Sequence, residues 1–291
     1  MKLKEQTWIK QLLPVIVPSL VIFCAALLFL YREGMLAKVE LPWKGARTVE
    51  YRGQALPVMN GVAVNKYDTA CFSRNELGWR IYETPGCAAK IGVDVSVYQG
   101  EIDWQQVADS GVEFAMIRCG YRGYTEGNIK KDACFEANLQ GALEAGLDVG
   151  VYFFSQAITP REAEEEAAFV LDAIKGRQVT YPVVFDWEVI TDSGEARTRG
   201  LEDQTLTDCA RAFCDRVARA GYEPAVYFNQ DMGYLNYRLE QLSEYSFWLA
   251  EYNALPSFYY HFDLWQYTPD GTVPGIEGKV DLNLDFRSTD T

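Results

Sequence analysis

Two carboxylates stand two positions apart in Phe185-Asp186-Trp187-Glu188, directly after the apolar run Tyr181-Pro182-Val183-Val184-Phe185. Side chains alternate faces along a strand, so positions i and i+2 point the same way, with Cα atoms about 7 Å apart. Asp186 and Glu188 can therefore enter one pocket. At the end of a buried strand they repel each other and lose water, and both effects raise at least one pKa. A carboxyl raised in this way can protonate a leaving glycosidic oxygen while an ionised neighbour stabilises developing positive charge. The competing reading is a solvated strand end that opens a loop, because paired acids signal a site only statistically. Two more acids invite the same question, Asp94 in Gly92-Val93-Asp94-Val95-Ser96 and Asp281 in Val280-Asp281-Leu282-Asn283. Taken alone, Asp94 reads better as a turn residue bonded to its local backbone, and Asp281 is ambiguous for the same reason.

Something must bring these acids together. From about residue 91, short β-branched and aromatic runs alternate with helical patterns. Strands are expected at 91–95, 114–119, 149–154, 182–187, 225–228, 246–250, 262–266 and 280–284. A helix should open at Asp103-Trp104-Gln105-Gln106, with Asp103 as its cap. Others should run from Lys131 to Ala145, from the capping box Thr159-Pro160-Arg161-Glu162, and from Asp203 to Ala220. The later strands are joined by segments too short for full helices. This alternation predicts a mostly parallel sheet, closed as an irregular eight-stranded TIM-like (β/α) barrel with few helices after the later strands. Catalytic groups of such barrels sit at the C-terminal ends of strands. Asp94 lies near the end of the first strand, and Asp186 and Glu188 end the fourth. Asp281 starts or crosses the eighth.

Ahead of the barrel, residues 12–30 carry no charge. At about 1.5 Å per residue this run nearly matches a hydrocarbon core of about 30 Å. Lys2, Lys4 and Lys10 precede it, which favours a cytoplasmic N-terminus. A cleaved signal peptide is the rival, but its apolar region should be shorter and a small-x-small cleavage site should follow. The expected organisation is a cytoplasmic N-terminus (1–11), a single-pass transmembrane anchor (12–31), a linker or small β-rich segment (32–90) and an extracytoplasmic catalytic barrel (91–291). The segment 32–90 holds strand-like pieces such as Thr48-Val49-Glu50-Tyr51 and Gly61-Val62-Ala63-Val64.

A net charge of -14 repels polyphosphate and argues against nucleic acid as a partner. Seven Trp and eighteen Tyr leave rings to spare for sugar platforms, although most rings are core. With Cys24 in the anchor, Cys71, Cys87, Cys119, Cys134, Cys209 and Cys214 remain outside. Cys71 and Cys87 flank a loop-rich stretch and are the expected disulfide pair. Cys119, Cys209 and Cys214 fit small buried side chains better. With one histidine, His261, and no Cys/His spacing of the zinc type, neither metal nor cofactor is expected.

Gly92-Val93-Asp94-Val95-Ser96, followed by Gln99-Gly100 and Ile102-Asp103-Trp104, resembles the opening of glycoside hydrolase family 25, the Chalaropsis-type lysozymes. The likeness continues through Phe114-Ala115-Met116-Ile117-Arg118, Gly150-Val151-Tyr152-Phe153-Phe154, Asp186-Trp187-Glu188, Phe247-Trp248-Leu249-Ala250, Leu264-Trp265-Gln266-Tyr267 and Val280-Asp281. It covers about residues 91–286. The resemblance implies an N-acetylmuramidase that cuts the β-1,4 bond from N-acetylmuramic acid to N-acetylglucosamine in peptidoglycan, with net retention. It also implies Glu188 as general acid, Asp186 as its acidic partner, and Asp94 and Asp281 as further pocket carboxylates. Asp186 either attacks the anomeric carbon or orients the 2-acetamido group of the substrate. Tyr121, Tyr152, Tyr227, Trp248 and Gln266, each at or near a strand end, are candidates to line the groove. Arg197 and Arg199 follow Glu188 in a polar loop; they can meet the muramic carboxylate or the peptide stem, but a solvated loop is the favoured reading. The alternatives are a glycosidase of chitin-like polymers and a wall-binding barrel without catalysis. A pure binder has no need of four acids in one pocket.

Overall fold

The computed structural model describes residues 47–191 and 194–289. The expected anchor and the residues before it lie outside them. Among the described residues no helix is long and apolar enough to cross a membrane. The chain divides into two units, 1–58 and 59–291. The described part of the first is a hairpin of β1 (Thr48–Tyr51) and β2 (Gln54–Pro57). Its turn, Arg52-Gly53, has positive φ at both positions, the twist that suits a two-residue hairpin.

The second unit opens with a three-stranded antiparallel sheet of β3 (Phe72–Arg74), β4 (Arg80–Thr84) and β5 (Cys87–Ala88). It packs on the barrel through aromatic rings. Tyr67 stacks on Phe286 at 4.1 Å and donates its hydroxyl to Phe262 O at 2.6 Å. Phe72 meets Trp265 edge-on, and Trp79 Nε1 donates to Thr272 O at 3.1 Å.

The expected Cys71–Cys87 bridge is not formed, and both thiols are free. Cys71 immediately precedes β3, Cys87 lies in β5, and those strands flank β4 on opposite sides. Two strand spacings amount to about 9.5 Å, beyond the roughly 7 Å Cα separation that a disulfide spans. Reduction with dithiothreitol is therefore expected to leave the melting temperature unchanged; a fall of several degrees would restore the bridge. Cys119, Cys209 and Cys214 are fully buried, as small apolar side chains would be.

All eight expected strands form, with ends shifted by a few residues: β6 (Lys90–Val95), β7 (Phe114–Arg122), β9 (Asp148–Ser155), β10 (Val183–Trp187), β11 (Pro224–Asn229), β12 (Ser246–Ala250), β13 (Leu264–Gly271) and β14 (Val280–Asp285). A further short strand, β8 (Ile129–Lys131), folds back on the end of β7. Neighbours from β6 through β13 run parallel. β14 runs antiparallel to both β13 and β6 and closes the barrel.

Helices α1 (Trp104–Asp109), α2 (Phe135–Glu144), α3 (Pro160–Ala173) and α4 (Asp203–Arg219) separate the strands from β6 to β11. Asp103 caps α1 by accepting from Gln106 N, and Thr159 caps α3 by accepting from Glu162 N. Helix α2 starts later than Lys131 because that residue pairs with Gly120 in the β7–β8 hairpin. After β11 only a π-turn (Met232–Asn236) and a 3-10 turn (Leu239–Gln241) precede β12.

Alternate residues of each strand fill the barrel. Phe114, Met116, Tyr181, Val184, Trp248 and Leu264 belong to one buried cluster. Gly92 makes room for it, since a Cβ there would lie 2.3 Å from the Phe114 ring. At the lower end Tyr181 donates its hydroxyl to Asp285 at 2.6 Å, and Arg287 clasps the same carboxylate through Nε and Nη2, both at 2.9 Å.

Candidate active site

The apolar filling stops one layer below the mouth, and polar side chains take over. A cleft of about 720 Å³ opens there. It is lined by all nine residues expected from sequence: Asp94, Tyr121, Tyr152, Asp186, Glu188, Tyr227, Trp248, Gln266 and Asp281. Register explains the convergence. Asp186 pairs with Tyr227, Tyr227 with Trp248 and Asp281 with Asp94. Glu188 follows β10 by one residue and is half-buried, whereas Asp186 is buried. Because β14 is antiparallel, its first residues lie at the same end as the last residues of the parallel strands. That is how Asp281, at a strand start, reaches the mouth.

Asp94 is held by a chain of amides and phenols. Its Oδ2 accepts from Asn283 Nδ2 at 2.7 Å and from Gln266 Nε2 at 2.9 Å. Trp248 Nε1 donates to Asn283 Oδ1, and the hydroxyls of Tyr227 and Tyr252 donate to Gln266 Oε1, each at 2.9 Å. Each amide is thus oriented from its carbonyl side, which turns its NH₂ toward Asp94. Asp186 contrasts with this: its Oδ1 is buried and accepts no hydrogen bond among the described residues.

Arg118, with Arg122 and Lys130, brings positive charge to the cleft. Arg118 Nε donates to buried Asp132 at 2.8 Å, and the guanidinium lies 5.0 Å over the Tyr98 ring and 5.6 Å over that of Tyr121. Asp132 also accepts from Val97 N at 3.1 Å. This anchors the turn Val97–Gln99, which Ser96 and Gln99 close as a capping box. Tyr98, 83% exposed on that turn, projects at the rim together with Tyr124 and Tyr252. A β-bulge between Arg118 and Gly120 shifts the register of β7 against β9. It turns Tyr121 to the same side as Arg118, three positions away, where strict alternation would separate them. Gly120 is required there because a Cβ would meet Lys130 O at 2.6 Å.

Sequence reasoning missed Arg118, Asn283, Tyr98 and Tyr252. Asn283 had a usable signal, since it stands two residues beyond Asp281 and shares its face. Arg197 and Arg199 do not line the cleft. Arg197 instead ties its loop to α3, with Nη2 2.6 Å from Glu162 and Nη1 donating to Gln156 O at 3.2 Å.

Four carboxyls crowd this mouth and their protons are held tightly. Burial, then Glu188 and Asp94, push Asp186 well above the usual carboxylate range, while Arg118 pulls it down. Burial and Asp281 raise Asp94, against the pull of the Asn283 and Gln266 donors. Burial raises Asp281 to about 6. Glu188 is raised by burial first and by Asp281 second. A group that acts as an acid loses activity as pH rises through its pKa. Asp281→Asn removes the second cause and should lower the Glu188 pKa. The alkaline limb of kcat/KM is then expected to move to lower pH. A pH–rate profile checks this, and an unmoved or alkaline-shifted limb would contradict the assignment.

A closed barrel with acids at its C-terminal mouth, set in an aromatic-rimmed cleft, defines a site of the glycoside hydrolase class. The chain belongs to glycosyl hydrolases family 25, whose sequence profile matches residues 93–276. The autolytic lysozyme of Clostridium acetobutylicum is 28% identical over 197 residues, covering 66% of this chain and 54% of that protein. Lysozyme M1 of Streptomyces globisporus is 30% identical over 207 residues, covering 66% of each chain. Among solved structures, the modular autolysin LytC of Streptococcus pneumoniae superposes with a TM-score of 0.57 at 25% identity, over 82% of this chain and 52% of its own. LytC has also been solved with a synthetic peptidoglycan ligand. A family 25 glycosyl hydrolase from Bacillus anthracis shares the fold at a TM-score of 0.56 and 23% identity, over 68% of this chain and 88% of its own. This chain therefore spans about half the length of the Clostridium and Streptococcus relatives.

Proposed function

We propose that this protein is an N-acetylmuramidase that hydrolyses the β-1,4 bond from N-acetylmuramic acid to N-acetylglucosamine in peptidoglycan, with net retention. The observation that carries the reading is the pairing of Glu188 with Asp186 at the end of β10, inside a cleft that also holds Asp94 and Asp281. In this scheme Glu188 protonates the leaving glycosidic oxygen. The orphaned Asp186 Oδ1 accepts the N–H of the substrate's 2-acetamido group and turns its carbonyl oxygen toward the anomeric carbon. That oxygen forms a bond to the carbon as the glycosidic bond breaks. Glu188, now a carboxylate, then takes a proton from water, which opens the ring intermediate on the original face. Direct attack by Asp186 gives the same stereochemistry. The buried, unpartnered oxygen favours the acetamido route, because a buried acceptor gains from an N–H partner. Asp94, braced by Asn283 and Gln266, holds a fixed carboxyl in the cleft where the oxocarbenium ion develops, and in its ionised form it stabilises that charge.

The rings of Tyr98, Tyr124 and Tyr252 supply apolar platforms for sugar faces at the rim. The uncharged run 12–30, with lysines before it, supports a single-pass tether that places the barrel on the extracytoplasmic side, facing the wall. Digestion of purified peptidoglycan by the full chain, followed by borohydride reduction and mass analysis of the new ends, tests the bond assignment. Reduced muramic acid ends are expected. Reduced glucosamine ends, or release from chitin but not peptidoglycan, would overturn it.

A further inference from the structure

The cleft does not end at Tyr252. That residue also lines an adjoining hollow of about 480 Å³, whose walls include Arg74, Trp79, Arg80, Tyr267 and Asp270. Arg74 and Arg80 come from β3 and β4, ahead of the residues that match the family. They stand directly opposite each other in the antiparallel register. Like charges so placed repel, their Cβ atoms being about 5 Å apart. Among the described residues neither guanidinium forms an ion pair. Arg74 donates to the backbone carbonyl of Gly78, and Arg80 lies 5.9 Å over the Trp265 ring. Burial and Arg74 both push the Arg80 guanidinium down, and Tyr267 pushes it up. Asp270 is exposed at the edge of the hollow.

Arg74 is exposed and Arg80 half-buried, so two guanidiniums held side by side next to the cleft offer an anion two sets of donors at once. Guanidinium forks match carboxylate oxygens two at a time, and Trp79 and Tyr267 provide an apolar floor for the chain that carries those oxygens.

We propose that this hollow is a subsite for the carboxylates of a peptide stem on a sugar flanking the cleaved bond. The subsite rests on the muramidase reading. It makes the sheet ahead of the barrel a part of substrate recognition.

The test compares the full chain with its Arg74→Gln/Arg80→Gln variant on peptidoglycan freed of phosphate-bearing polymers, with stems intact or removed by an amidase. On the stem-bearing substrate the variant is expected to raise KM about 3–10-fold with kcat unchanged. The effect should fade at high salt and be absent on stem-free glycan. Arg74→Lys/Arg80→Lys, which keeps both charges, should recover most of the affinity. Equal KM for parent and variant on stem-bearing substrate overturns the subsite, as does a rise shared by both substrates. An effect confined to peptidoglycan that still carries its phosphate polymers overturns the carboxylate assignment. If the parent cleaves neither substrate, the muramidase reading itself fails and takes the subsite with it.

Discussion

Glu188→Gln is expected to lower kcat on peptidoglycan by about 10²–10⁴-fold, the range ordinarily supplied by a positioned general acid. Glutamine keeps the shape and the hydrogen-bonding reach of the side chain but has no acidic proton for the leaving oxygen. KM should stay within about twofold, since an interaction made only in the transition state is lost. Glu188 is half-buried beside Asp186 and adds to the causes that raise the Asp186 pKa. Removing its charge relieves that repulsion, so the melting temperature should equal or exceed that of the parent. That combination separates lost chemistry from lost structure. Rates of muropeptide release and thermal melts of both proteins measure it. Release at the parental rate would remove Glu188 from the acid role and, with it, the proposed mechanism.

Starting the chain at residue 91 is expected to abolish soluble expression or to lower the melting temperature by about 10–20 °C, whereas starting it at residue 59 should change it little. Residues 59–90 belong to the same unit as the barrel. Trp79 and Tyr82 are buried to within a few per cent, and Tyr67 and Phe72 pack on Phe262, Trp265 and Phe286. Burying one such side chain contributes about 1.5–3 kcal/mol. Losing four approaches the total stability of an ordinary domain, about 5–15 kcal/mol. The cut also strips cover from the rings of β13 and the C-terminal segment, a patch prone to association. Melting curves of the two truncations decide the point. Equal melting temperatures would show that the barrel stands without its preceding sheet.

Much of the barrel is legible in the sequence. Each of the eight strand runs is a local burst of β-branched and aromatic residues, and two of the four early helices carry their own side-chain cap, Asp103 and Thr159. Such signals act between neighbours in sequence, so they survive without knowledge of the fold. The same holds for the Asp186/Glu188 pair, whose common face follows from strand alternation alone. The Cys71–Cys87 expectation failed because spacing along the chain says nothing about which strand lies between two others.

What the sequence by itself determined was therefore the set of strands, their order and the acids at their ends. Only the tertiary structure decided three further matters. The antiparallel entry of β14 carries Asp281 to the mouth and sets Asn283 against Asp94. The bulge at Gly120 brings Tyr121 beside Arg118. The sheet of residues 72–88 lies against the barrel and brings Arg74 and Arg80 to the edge of the cleft. Strand direction, register shift and docking all depend on hydrogen bonds and ring contacts between residues far apart in the chain. No local pattern of residue types encodes those partners, and the polar network of the site exists only once they have met.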